Sequence, residues 1–153
     1  MAVITKVPAT FEDLLGVKEK AELINGRIVY FMPHGRRPAL VAKRILLNLD
    51  PYVESLGVGE AHMDNVGYAI RPMMPSGRQS FNPDTSYFVG PLPANDMKFM
   101  EGPPTFAVEV RSENDYGRAA EIQMAEKRDD YFLAGTLAVW DVDPVAETIA
   151  LYS

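Results

Sequence analysis

Between Ala39 and Asp50 the apolar residues Leu40, Val41, Ile45, Leu46 and Leu49 return every three or four positions, which predicts an amphipathic helix that Pro51 ends or kinks. A second and clearer helix is predicted over 117–134, stopped by Gly135 as a left-handed C-cap residue. Upstream, Thr10 followed by Asp13 in "TFEDLLGV" has the form of a capping box, so a short helix should start there. The remaining pattern is that of strands. "AELINGRIVYF" offers two runs around Asn25-Gly26, a pair that takes the positive φ angles of a type I′ turn and so predicts a hairpin. "GVGEAHM", "VGYAIRP" and "TSYFVG" read as further strands, the first two joined by a tight turn at Asp64-Asn65.

Residues 90–104, "GPLPANDMKFMEGPP", read as a surface connector because prolines and glycines punctuate them. The strand "TFAVEV" follows. Two more, "LAVWDVD" and "TIALYS", finish the chain, with Trp140 in the core and Asp141 and Asp143 ending their strand before Pro144. This order predicts one α/β domain over 1–153, a mixed sheet flanked by the 39–50 and 117–134 helices.

Composition changes this picture little. The chain is 47% hydrophobic and 24% charged, and no run approaches the ~20 apolar residues of a membrane span. Residues 1–16 contain Glu12 and Asp13 and lack a continuous apolar stretch, so they do not read as a signal peptide. The absence of cysteine excludes disulfides and thiolate metal sites and fits a cytoplasmic location. A net charge of −6 argues against a generic nucleic-acid coat. One local exception is Arg36, Arg37, Lys43 and Arg44, with no acid until Asp50; it reads either as a solvated helix face or as a DNA-binding patch.

The chemistry sits at strand edges. Asp84 follows Pro83 at a strand start, and Glu109 lies within "AVEVRS". Alternation puts Phe106, Val108 and Val110 on one face, with Ala107 and Glu109 on the other, so Glu109 points across a small residue into a space that could hold an ion. A buried carboxylate needs a cation, N–H donors or a metal. Two carboxylates with waters suit Mg²⁺ or Mn²⁺; the alternative is a pair of strand-end acids satisfied by N–H groups or by Arg111. A cation to complete such a site could be Arg111, on the same face as Glu109, or Lys127, on the long helix in one stripe with Gln123 and Tyr131. The rival role for Lys127 is a surface lysine paired with Asp130 or Glu126. Glu22, in the first hairpin, is a candidate additional carboxylate. No Gly-x-Ser-x-Gly elbow or phosphate-cradling glycine loop occurs, and His34 and His62 do not form a metal pair by spacing.

Pro83-Asp84, then 24 residues, then Glu109-Val110-Arg111 resembles the PD-(D/E)XK nuclease superfamily, with Arg111 where that pattern has lysine. The closer resemblance is to the bacterial Uma family of restriction-endonuclease-like proteins, through "AELINGRIVYFMP", "NPDTSYFVG", "PTFAVEVRSEND" and "AEKRDDYFLAGTLAVWDVDP" in that order. It implies a restriction-endonuclease-like fold and Mg²⁺- or Mn²⁺-dependent hydrolysis of DNA by Asp84, Glu109 and Lys127, the active-site lysine standing on the helix rather than the strand. It also implies a two-fold homodimer. The alternative is a nuclease fold kept as a non-catalytic binding or assembly module. Two departures stand out. Pro38 falls about where the family often has a histidine, His34 lying earlier, and the family's further C-terminal strand and leucine-rich tail are expected to be missing after Ser153.

Overall fold

The computed structural model describes residues 7–153, so the first six residues of the stretch read as lacking a signal peptide lie outside the described residues. α1 (Phe11–Leu15) begins at the expected capping box, in which Thr10 and Asp13 bond reciprocally. β1 (Ala21–Ile24) and β2 (Arg27–Tyr30) form the expected hairpin, with Ile24 opposite Arg27 and positive φ at both Asn25 and Gly26. The hairpin docks on the segment 77–80: Leu23 N–H donates to Ser80 Oγ at 2.7 Å, and Gln79 N–H donates to the Leu23 carbonyl at 2.9 Å.

α2 runs from Arg36 to Leu56, starting three residues before the predicted helix and continuing past Pro51. Pro38 falls in the first turn, where an N–H has no helical partner to lose. Pro51 and Leu47, one turn apart, are both exposed, so the Leu47 carbonyl that loses its bond faces water. Periodicity therefore located the helix correctly, whereas the breaker rule shortened it.

β3 (Glu60–His62) is followed by the predicted turn, with Asn65 at positive φ, and then by β4 (Tyr68–Ala69). The turn joins these two strands without pairing them. β3 pairs with β6 (Thr85–Phe88), while β4 lies between β5 (Ser80–Phe81) and β7 (Met100–Glu101) in a separate three-stranded sheet. β7 also corrects the 90–104 connector, because Met100 pairs in parallel with Tyr68 and is buried.

The central sheet has the order β10-β9-β8-β6-β3, with β8 (Phe106–Val110), β9 (Ala138–Asp143) and β10 (Thr148–Tyr152). β8 and β9 are parallel and joined through α3 (Arg118–Ala134), which ends at Gly135 in the left-handed conformation; the other pairs are antiparallel. The predicted alternation holds. Val108, Val110 and Val142 face Val41, Ala42 and Ile45 of α2, with Trp140 packed edge-on against Phe106 beside them. Ala107 and Val139 face the opposite side, where Tyr131 and Phe132 of α3 meet Tyr68, Phe81 and Met100 of the small sheet. Tyr131 stacks on Phe81 with ring centroids 4.0 Å apart. Asp143 ends β9 just before Pro144, as expected, whereas Asp141 is a buried interior residue of that strand.

Gly59, entering β3 at φ +81°, shows how tightly the edge is packed. A Cβ there would lie 2.6 Å from the Phe88 carbonyl oxygen. Gly59→Ala should cost about 2 kcal/mol, from left-handed backbone and a backbone clash together, readable as a lower denaturation midpoint at unchanged slope.

A carboxylate and lysine cluster as candidate active site

Asp84 sits where β6 begins against β8. Its N–H donates to the Val108 carbonyl at 3.1 Å, and the Val110 N–H donates to its Oδ2 at 2.7 Å, so the carboxylate replaces a rung of the ladder and is pinned beside Glu109. Asp84 is 3% exposed. Glu109, pointing to the α3 side, accepts a hydrogen bond from the Tyr131 hydroxyl at 2.6 Å. The two acids are cross-strand neighbours, as their expected shared role requires.

Two lysines close the site. Lys127 Nζ lies 2.9 Å from Glu109 Oε1 and 3.0 Å from Glu22 Oε1. It is thus an inward lysine shared by two acids, and its partners are not Asp130 or Glu126. Gln123, one turn earlier in the stripe, is exposed and takes no part. Lys20 Nζ lies 2.8 Å from Asp84 Oδ1 and 2.6 Å from Asp64 Oδ1. The Phe31 ring lies under both ammonium groups, at 4.9 Å from Lys20 and 5.0 Å from Lys127.

Glu22 is buried and anchored by Arg78 Nη1 at 2.7 Å, while Arg78 Nε reaches Asp130 at 3.0 Å. Docking of the hairpin on residues 77–80 creates this contact, since Ile24 bridges Arg78. Glu22 thereby lies beside Glu109, positioned through its partners Arg78 and Lys127.

The electrostatics follow from this geometry. Burial raises the Asp84 carboxyl above the usual range, and the neighbouring Glu109 charge adds to it, against the opposing pull of Lys20. For Glu109 burial also pushes upward, but the Lys127 and Lys20 charges and the Tyr131 hydroxyl outweigh it and hold the carboxyl low. Burial would lower Lys127, yet Glu109 and Glu22 outweigh it, so its ammonium stays protonated through neutral pH. Tyr131 is raised well above the usual phenol range by burial next to these acids.

The cluster holds five carboxylates, Glu22, Asp64, Asp84, Glu109 and Asp130, against three cations, Lys20, Arg78 and Lys127. With His34 set aside the cluster is formally negative, by two counting the half-exposed Asp64 and by one without it. Among the described residues no three His, Cys, Asp or Glu side chains converge as a complete metal cage. A hard ion held by two carboxylates and several waters has no need of one, which is the habit of Mg²⁺.

Several residues of this site were not singled out from the sequence. His34 Nε2 is 3.7 Å from Asp84 Oδ1, so His34 stands at the site without His62, delivered by the turn into α2. Lys20 had a legible signal: it lies two residues before Glu22, on the same side of an extended segment. Arg78 had none. His62, bonded to Tyr68 and Glu60, lies elsewhere, as expected.

The other predicted cations fall outside. Arg111 is held by Asp141 at 2.8 Å and by Glu121, with Arg128 also on Asp141 at 3.3 Å, so it neutralises Asp141 and satisfies neither Asp84 nor Glu109. Arg36, Arg37, Lys43 and Arg44 are exposed on α2, Arg37 pairing with Glu147 at 3.1 Å. Their seven-residue spacing sets Lys43 in line with Arg36 and Arg44 with Arg37, one basic stripe that starts two residues from His34. Among the described residues no helix is long and apolar enough to cross a membrane.

A model of the Uma2 family, described as "Putative restriction endonuclease", matches residues 8–153. No curated protein matches the chain. Among solved structures, a protein from Anabaena variabilis described as a "putative nuclease belonging to DUF820" superposes with a TM-score of 0.68 at 21% sequence identity, covering 95% of this chain and 79% of that one. At that identity the likeness is one of fold.

Proposed function

The chain belongs to the Uma2 family, described as "Putative restriction endonuclease", and we propose that it hydrolyses phosphodiester bonds in DNA with one Mg²⁺ or Mn²⁺ held by Asp84 and Glu109. The observation that carries this reading is the adjacency of those carboxylates across β6 and β8, in a formally negative cluster, opposite the inward ammonium of Lys127.

A bound divalent ion supplies a water of lowered pKa and charge on a phosphoryl oxygen. The protein's own groups do the rest. Lys127, fixed by Glu22 and Glu109, keeps its proton and so serves as a fixed positive charge and hydrogen-bond donor to the developing phosphorane, not as a base. Tyr131 and the Val110 N–H aim the two carboxylates, each taking one oxygen; Glu109 Oε2 is left for the ion or its waters, whereas Asp84 Oδ1 meets Lys20. The Arg36, Arg37, Lys43 and Arg44 stripe gives a DNA backbone a place to lie beside His34, and a homodimer would present two such sites to the two strands.

Supercoiled plasmid incubated with the protein and Mg²⁺ or Mn²⁺ should be nicked, and Asp84→Asn should slow nicking by about 10²-fold or more. Equal cutting by Asp84→Asn would place the activity elsewhere.

A second reading, a metal-free binding or assembly module, draws on one specific feature: both acids already have a lysine partner within the chain, at 2.8 and 2.9 Å. Calorimetric titration with Mn²⁺ separates the two, because the module has no use for an ion at Asp84.

A further inference from the structure

The two carboxylates are not equally ready for a metal. Asp84 has both oxygens engaged, Oδ2 by the Val110 N–H and Oδ1 by Lys20 at 2.8 Å. Glu109 uses only Oε1, which meets both Tyr131 and Lys127, and its Oε2 accepts no hydrogen bond among the described residues. A divalent ion can therefore approach Glu109 with Lys127 in place. It cannot take Asp84 Oδ1 without moving Lys20, because an ammonium within 3 Å of that oxygen and an ion bonded to it would be like charges in near contact.

Lys20 has somewhere to go. Its ammonium already touches Asp64 at 2.6 Å, and Asp64 is a half-exposed acid on the β3–β4 turn that shares no contact with Glu109. Phe31 lies under the ammonium, so a short swing toward Asp64 keeps one charge partner and the aromatic face.

We infer that Lys20 is a displaceable counter-cation: it seats on Asp84 Oδ1 in the metal-free protein and retires onto Asp64 when a divalent ion takes that oxygen. The inference rests on the metal-site reading above and adds a regulation of it. Lys20 keeps the buried Asp84 charge compensated between rounds of binding, and metal affinity is set by a competition inside the chain. The arrangement trades affinity for a site that stays folded when empty.

The test is Mn²⁺ affinity by calorimetry, with no substrate present. Lys20→Met removes the competitor and should bind Mn²⁺ about tenfold more tightly than the unaltered protein. Asp64→Asn keeps the bond to the Asn65 N–H while removing the acid that receives Lys20, and should bind about threefold more weakly. In the Lys20→Met background, Asp64→Asn should change affinity by less than about 1.5-fold, since nothing remains to be received. Lys20→Met binding Mn²⁺ as the unaltered protein does, or Asp64→Asn acting equally in both backgrounds, would overturn the inference while leaving the metal site standing. Unaltered protein that takes up no Mn²⁺ would sink both. Should Lys20→Met fold poorly, Lys20→Gln makes the same comparison at retained polarity, and Asp64→Asn, at an exposed turn, still reports the opposite sign.

Discussion

Arg78→Met is expected to destabilise the protein by about 3–5 kcal/mol, the usual cost of removing one partner from a buried charge network. Arg78 holds Glu22 with Nη1 and Asp130 with Nε, and both acids are largely closed to water. Deleting it leaves Glu22 with Lys127 as its one cation and Asp130 with only the Ser76 hydroxyl among the described residues. The loss should also reach the candidate active site, because Lys127 divides its ammonium between Glu22 and Glu109 and would be drawn toward a Glu22 that has lost its other cation. Urea titration reads the effect as a lowered midpoint. Arg71→Met is the matched control: Arg71 pairs with Glu101 where both are more than half exposed, and its removal should cost less than about 1 kcal/mol. Equal midpoints for the two variants would show that the Glu22–Arg78–Asp130 network does not hold the hairpin to the core.

The contrast between Arg78 and Lys127 shows what a sequence carries and what it does not. Lys127 was one of two candidate cations because it shares a helix stripe with Gln123 and Tyr131, and the family resemblance is what set it ahead of Arg111. Glu109 was visible because strand alternation fixes its face before its neighbours are known. Asp84 stood out through its place after Pro83 at a strand start. The same local rules gave the Asn25-Gly26 hairpin, the Thr10 cap and the Gly135 stop their right form.

Arg78, His34 and Lys20 are different. Each reaches the site through a contact between segments far apart in the chain: hairpin on the 77–80 segment, the turn into α2 on β6, and the lead into β1 on Asp84. No periodicity encodes such pairings. Strand partners are set in the same way. The turn expected at Asp64-Asn65 is present between β3 and β4, but turn chemistry fixes where a chain reverses, not which strand it then joins. Two-residue strands such as β7 owe their existence to a partner, here Tyr68 and Ala69, and leave almost no trace of their own.

Lys127 and Arg111 are the two cations near Glu109 in sequence, and replacing each should have opposite consequences. Lys127→Met should cut DNA nicking by about 10²–10³-fold, the range for removing one donor aimed at developing charge. Its Mn²⁺ affinity should be retained, because Glu109 Oε2 and the whole of Asp84 are untouched. Arg111→Met should behave in reverse. Its guanidinium lies against Asp141 and Glu121, so its loss falls on folding. Arg128 remains 3.3 Å from Asp141 and offsets part of the cost, which should be about 1–3 kcal/mol by denaturant titration. The nicking rate per folded molecule should stay within about threefold of the unaltered protein, since the guanidinium touches neither acid of the site. The rates must be compared below both unfolding midpoints, so that a drop for Arg111→Met is not simply lost protein. A folded Arg111→Met that cannot nick, beside a Lys127→Met that can, would return the catalytic cation to the strand and leave the inward lysine on α3 as a counter-ion for Glu22.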